Sequence, residues 1–251
     1  MNRKDLVDVW NVQYGDERDT ALKDRNLFSI EVDALKAQVI RNLPATGPVR
    51  ILELGCGTGY LLQEVGRLLE SRGRRNYRLV GVDFARNAID TAVGRSLRNT
   101  DFECGGFAEF FGKTREKFDL ILSQRSVMAL MSDEEQSDVL QQICEALAPE
   151  GVVIIAECFR NGFDRFNDLR EQAGLEPIDK VWHSRHVDES ALEKIFGQVE
   201  FVSYCSTYML VTRLVYPFFE DPVHNHAIHD LAARLPESGD HAFLKIAVLR
   251  V

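Results

Sequence analysis

The stretch ILELGCGTGYLL, residues 51–62, alternates three glycines, Gly55, Gly57 and Gly59, behind an apolar run that contains one acid, Glu53. The run VRILELG (49–55) reads as a buried strand and GYLLQEVGRLLESR (59–72) as a helix. Glycines between them permit positive φ and let a ligand approach the backbone. In a doubly wound sheet, the turn after the first strand sits where ligands gather, at the carboxyl ends of the strands.

Working outward, helical spacing of Leu27, Ile30, Leu35, Val39 and Leu43 predicts a helix over 27–43, stopped by Pro44 and ATGP (45–48). Further strands are predicted at 78–84, 101–106, 117–124 and 151–159, with helices near 85–98 and over 132–147. Ser132 and Glu135 form a capping box at the start of the last helix, and Pro149 and Gly151 end it. Five alternations of strand and helix give a doubly wound, mostly parallel α/β sheet.

The tail reads as a helix over 187–197, a long β-rich run over 199–216 and a strand over 242–251. The last two are expected to pair antiparallel, adding a reversed strand at the edge of a seven-stranded sheet. Residues 1–48 form a helical lid segment in this scheme, and 49–251 the domain, with insertions at 159–186 and 217–240.

The 251 residues carry a formal net charge of −9, which argues against a long nucleic acid as partner. The densest basic stretch, 67–78, falls between a helix and a strand and reads as a solvated loop. No apolar run approaches a membrane span, and MNRKDLVDVW lacks an apolar signal region. Five scattered cysteines without a C-x-x-C pair fit a reducing compartment, so a cytoplasmic protein is expected. Cys56 reads as a small residue suited to a tight turn.

Three ligands compete for the glycine turn. A phosphate loop requires Lys followed by Ser or Thr after its last glycine, which is absent here. A dinucleotide site requires G-x-G-x-x-G, but Tyr60 occupies the third glycine's place. The spacing is G-x-G-x-G preceded by Glu53, and a carboxylate repels pyrophosphate while attracting an ammonium or sulfonium. Asp83, ending the second strand, suits a pair of ribose hydroxyls under either a nicotinamide or a sulfonium reading.

ELGCGTG (53–59), VGVDFARNAIDTA (80–92), KFDLILSQ (117–124) and PEGVVIIAE (149–157) resemble, in order and spacing, the motifs of class I S-adenosylmethionine-dependent methyltransferases. The resemblance implies that Gly55, Gly57 and Gly59 lie under the methionine part, with Cys56 counted among the cofactor-binding residues of the turn, that Asp83 takes the ribose hydroxyls and that Phe84 packs on adenine. Where relatives carry an acid for the adenine amine, this chain has Gly106 and Phe107, so the backbone around Phe107 and Ala108 is expected to serve. Ser123 and Gln124, closing the fourth-strand motif, complete the implied cofactor set.

The flanks resemble bacterial methyltransferases of surface-glycan and related small-molecule pathways, through Trp10, Tyr14-Gly15-Asp16, Arg25-Asn26, SQRSVMAL (123–130), FNDLREQAGLEPI (166–178), STYMLVTRLVYP (206–217) and LP-x-x-GD (235–240). Tyr14, Arg25 and Asn26 then form a lid over the cofactor, or else an ordinary helix start capped by Asn26. Arg125 is either a clamp for an anionic acceptor or a structural ion pair. His183 is the candidate base, with His186 as fallback; a hydrogen-bonded structural role is the alternative. Arg170, Tyr208 and Arg213 either line the acceptor pocket or stabilise the insertion. The histidines at 224, 226 and 229 lack a ligand pattern with a carboxylate, and no metal is expected.

The expected activity is methyl transfer to oxygen or nitrogen of a small, anionic or sugar-linked molecule by a monomer or homodimer without a membrane or nucleic-acid partner. The competing reading is a non-catalytic cofactor-binding module or partner subunit.

Overall fold

The structure, a computed structural model, describes Trp10 and residues 24–181, 183–218 and 226–251. The expectations for Tyr14, Gly15, Asp16 and His224 lie outside the described residues.

Helix α1 (Arg25–Asn42) precedes β1 (Val49–Leu54). Then follow α2 (Tyr60–Ser71), β2 (Tyr77–Asp83), α3 (Arg86–Gly94), β3 (Thr100–Cys104), α4 (Phe107–Lys113) and β4 (Phe118–Gln124). The second half runs α5 (Asp133–Ala146), β5 (Leu147–Cys158), α6 (Arg160–Gln172), α7 (Glu189–Ile195), β6 (Gln198–Ser203), α8 (Ser206–Leu210), α9 (His226–Arg234) and β7 (Leu244–Arg250).

The seven strands form one sheet in the order β3-β2-β1-β4-β5-β7-β6. Strands β1 to β5 run parallel to one another, and β7 runs antiparallel between β5 and β6. The sheet is a doubly wound α/β fold whose strand order switches direction between β1 and β4 at the centre.

Continuous apolar strands follow from burial on both faces. Ile51, Leu122, Ile154 and Ile246 pack into one layer with Leu35 and Val39 of α1 and Leu62 and Val65 of α2. Leu52, Ile121, Ile155 and Ala247 face the other layer, with Leu140 and Ile143 of α5 and Leu192 of α7. Gly81 is needed because a Cβ there would come within 2.7 Å of the Phe102 ring and 2.9 Å of the Cys56 sulfur.

Two elements depart from the expected boundaries. Strand β5 begins at Leu147, four residues early, and absorbs the expected helix stop by a register shift opposite Phe118 and Leu120. The β-rich run 199–216 is not one strand. It stays extended only to Ser203, then turns through α8, a π-helical turn (Val211–Val215) and a 3-10 turn (Tyr216–Phe218). Among its buried positions, Cys205, Tyr208, Met209 and Thr212 recur at helical spacing. The Glu237 carboxylate caps the new helix by accepting from the Ser206 amide at 2.7 Å. Packing overrides β-branched composition here.

Leu35 is fully buried between α1 and the sheet. Leu35→Ala should lower unfolding free energy by about 2–5 kcal/mol, measured by denaturant titration. A change below ~1 kcal/mol would show that α1 is only loosely docked.

Candidate active site

Gly55, Gly57 and Gly59 all adopt positive φ, between 51° and 73°. Gly55 has a second constraint: a Cβ there would overlap the Ser126 side chain at 2.2 Å. The turn hangs on β2, where the Val82 carbonyl accepts from the Gly55 and Cys56 amides at 2.8 and 3.1 Å. Asp83 completes the anchor. One carboxylate oxygen accepts from the Gly57 amide at 2.9 Å and the other from the Ala85 amide at 2.8 Å. Burial pushes the Asp83 carboxyl up, and the Ala85, Gly57 and Phe84 amides pull against it.

A cavity of about 610 Å³ opens on this turn. Glu53, Gly55, Cys56, Gly57, Asp83, Phe84, Phe107, Gln124 and Arg125 of the expected set are in its wall, with His183 across from them. Phe28, Tyr60 and Met128 supply apolar surface.

Glu53 is almost fully buried, and its Oε2 has no hydrogen-bond partner among the described residues. Burial, then the Asp83 charge, raise its carboxyl well above the ordinary range; the Leu62 amide opposes them. A buried, unsatisfied carboxyl oxygen facing a cavity is costly unless a ligand donates to it or carries positive charge. The cavity therefore fits the ammonium and sulfonium of S-adenosylmethionine, with Asp83 beside it for hydroxyls.

Other buried acids serve the walls. Glu31 of α1 is fully buried and accepts from Arg125 Nε and Nη2, both at 2.9 Å, from Gln124 at 2.8 Å and from the Tyr204 hydroxyl. Burial lowers the Arg125 guanidinium pKa, but Glu31 outweighs it and the net shift is upward. Arg125 itself holds a left-handed backbone, φ 55°. Arg125 thus makes an ion pair with Glu31 while also lining the cavity.

Glu157, at the end of β5, accepts from the Ser126, Val127 and Met128 amides at 3.1, 3.0 and 3.2 Å and from the Ser123 hydroxyl at 2.7 Å. Burial pushes its carboxyl up to about 7, against those donors. This gathering of successive amides fixes the loop after β4 that forms one cavity wall.

Ser123 is fully buried beneath the cavity, bonded to Glu157 and Ser126. Gly59 precedes α2 and Gly106 precedes α4, while Ala108 is exposed. Arg25 is exposed on the first turn of α1. Asp24, not Asn26, caps α1, accepting from the Leu27 amide at 3.1 Å; Asn26 donates to Asp230. Asp24 also takes the Tyr208 hydroxyl at 2.7 Å and Arg213 at 2.8 Å. Burial pushes Asp24 up, but these donors outweigh it and hold it below its ordinary value. Tyr208, Arg213 and Arg170, the last bonded to the Arg213 and Glu176 carbonyls, thus tie the insertion to α1.

His183 packs its ring 5.4 Å from the Trp10 ring, and burial lowers its pKa. His186 lies outside this cavity, against Phe163. No group of three His, Cys, Asp or Glu residues suited to a metal ion occurs among the described residues. No helix among them is long and apolar enough to cross a membrane.

Sequence reasoning passed over Glu31, Glu157, Asp24 and Ser184. Glu31 had a signal: it falls between Leu27 and Leu35 on the buried stripe of its helix, where an acid needs a partner. Glu157 likewise closes an otherwise apolar strand.

A family model described as a methyltransferase domain matches residues 46–197. Malonyl-[acyl-carrier protein] O-methyltransferase of Bacillus cereus is 26% identical over 136 residues, covering 52% of this chain and 47% of that protein. The chain spans about half the length of the curated relatives it matches. Magnesium protoporphyrin IX methyltransferase (ChlM) from Synechocystis PCC 6803, with bound SAH, aligns at TM-score 0.57 and 16% identity over 97% of this chain and 94% of that one. N-methyltransferase NodS from Bradyrhizobium japonicum WM9, in complex with S-adenosyl-L-homocysteine, aligns at 0.52 and 16% over 87% and 86%. At such identities the two structures speak for the fold.

Two outcomes follow for the walls. Arg125→Ala leaves the Glu31 charge buried without its cation and should cost about 3–5 kcal/mol of stability in denaturant titration; an unchanged midpoint would dismiss the pair as a wall-former. Glu157 releases its proton near 7 in the fold and near its ordinary 4.5 when unfolded, so the fold holds the extra proton in between. Its stabilising contribution is full below about 4.5 and falls as pH rises to about 7, on the order of 3 kcal/mol in all. Glu157→Gln should flatten that slope; a slope unchanged by the substitution would assign it to another group.

Proposed function

Because the chain belongs to the methyltransferase-domain family, with S-adenosylmethionine as its cofactor, we propose that it methylates oxygen or nitrogen of a small, anionic or sugar-linked metabolite. The observation that carries this reading is the pair Glu53 and Asp83 in one cavity wall, with Glu53 Oε2 buried and unpartnered. When bound, the cofactor supplies an electrophilic methyl group: the acceptor atom bonds to the methyl carbon as the carbon–sulfur bond breaks and its electron pair stays on sulfur.

The chain's own part is binding, alignment and exclusion of water. Glu53 answers positive charge, the Gly55–Gly59 turn brings backbone close, and Asp83 offers its remaining lone pairs to hydroxyls. Phe28, Tyr60, Phe84 and Phe107 make an apolar enclosure that strengthens these interactions. Holding acceptor and methyl in line can remove about 7–11 kcal/mol of a barrier. For a hydroxyl acceptor, His183 takes the departing proton; burial lowers its pKa and so keeps the imidazole neutral near pH 7. Arg125 acts through Glu31, fixing the wall between α1 and β4. A cytoplasmic setting belongs to the same proposal.

Calorimetry tests it. S-adenosylmethionine and S-adenosylhomocysteine should both bind, and Asp83→Ala should weaken binding by about tenfold or more, as expected for loss of a buried hydrogen-bonding carboxylate. Absence of binding by either would overturn the reading. Release of S-adenosylhomocysteine on addition of acceptor pools separates an enzyme from a silent binding module.

A further inference from the structure

A second cavity, of about 510 Å³, adjoins the first. The two share Ala129, His183 and Ser184 as a common wall. Their charges are opposite. The first is lined by Asp24, Glu31, Glu53 and Asp83, with Arg125 its cation, already paired with Glu31. The second is lined by Arg160, Lys180 and Arg185, with Asp133 its acid.

The cations are not equivalent. Arg160 and Arg185 both reach Asp133 at 3.1 Å, and Arg160 also reaches Asp188 at 3.2 Å. Lys180 has no carboxylate partner among the described residues; its ammonium stands 5.6 Å over the Phe163 ring. In a chain of net charge −9, an acid-poor cavity edged by an unpaired lysine is a selective place for an anion.

Two buried polar atoms add an independent sign. His186 is 6% exposed and lines the second cavity, and its Nδ1 has no hydrogen-bond partner among the described residues. Ser184 Oγ, in the shared wall, is likewise buried and unpartnered. The segment that carries them is held rigidly: the Met128 carbonyl accepts from the Arg185 amide at 2.7 Å, and Gln136 donates to the Arg185 carbonyl at 2.8 Å. Fixed polar groups left open to a cavity are what a ligand's hydrogen bonds satisfy. Burial, then the nearby Lys180 charge, push the His186 pKa down to about 4, so its imidazole is neutral near pH 7 and serves as a hydrogen-bonding group.

We infer that the second cavity receives the anionic end of the acceptor, a carboxylate or phosphate held by Lys180, while the atom to be methylated reaches past Ser184 into the first cavity. This rests on the methyl-transfer reading and deepens it. Opposite charges in joined cavities hold a cationic donor and an anionic acceptor apart except at their reacting ends. Lys180 is then a specificity residue, remote from the reacting atoms.

The test uses the whole chain loaded with S-adenosylhomocysteine and titrated separately with inorganic phosphate and with malonate, followed by calorimetry and by the His186 ring signals in NMR. At least one anion should bind with millimolar affinity and shift the His186 signals. Lys180→Met should weaken that binding by about tenfold, and Lys180→Arg should largely restore it. Phosphate alone would mark a phosphorylated acceptor, malonate alone a carboxylate, and both the shared chemistry. Silence of both anions on cofactor-loaded protein, or affinity untouched by Lys180→Met, would overturn this inference and leave the cofactor reading intact. Failure of S-adenosylhomocysteine itself to bind would overturn both.

Discussion

Gly55 packs so tightly on Ser126 that no side chain fits at position 55: a Cβ there would lie 2.2 Å from that of the serine. That contact lets the Ser126 hydroxyl donate to the Leu54 carbonyl at 2.7 Å, at the end of β1. The same serine's amide donates to Glu157 at the end of β5, and its hydroxyl meets Ser123 at the end of β4. Three adjacent strand ends are thus locked by one small polar cluster. The glycine turn lies on top of it, and so does everything the turn can bind. A side chain at Gly55 would push on Ser126 and separate β1 from the β4 loop, both of which line the first cavity.

The buried acids divide by what they face. Glu31 and Asp24 turn into protein and meet Arg125 and Arg213, which answer their burial, while the amides around Glu157 offset its burial only in part. Glu53 and Asp83 turn into the first cavity without a cation of their own. Burial raises both carboxyls, that of Asp83 against its Gly57 and Ala85 donors, and a cationic ligand offsets the cost. The same arithmetic disfavours a pyrophosphate, whose charge would add to two carboxylates already in repulsion.

Much of this was legible in the sequence because it is local. The glycine spacing, the acid before it and Asp83 at the end of β2 lie within a single β-turn-α-β unit, where strand ends bring them together whatever the rest of the chain does. The parallel strands were legible because double-sided burial writes continuous apolar runs. The run 199–216 was not, since β-branched composition hid the helical spacing of Cys205, Tyr208, Met209 and Thr212. The partners of Glu31 and Asp24 were not legible either. Tyr204 lies 173 positions from Glu31, and Arg213 189 from Asp24. An acid on a buried stripe announces that a partner exists; only tertiary packing names it.

Those long-range pairs bear on how the site is built. The first cavity takes one wall from the central turn and another from α1, and α1 is held there by residues of the C-terminal third. The sheet core alone would leave the turn open to water, where Glu53 would be solvated and lose its preference for a positive ligand. Closure by α1 lowers the local dielectric and turns an ordinary glutamate into a selective one. The second cavity needs the same enclosure for the opposite charge: the segment 183–186 is drawn onto the β4 loop through Arg185, by Gln136 and the Met128 carbonyl. Selectivity for donor and acceptor therefore comes from packing that surrounds a common turn, more than from the turn itself.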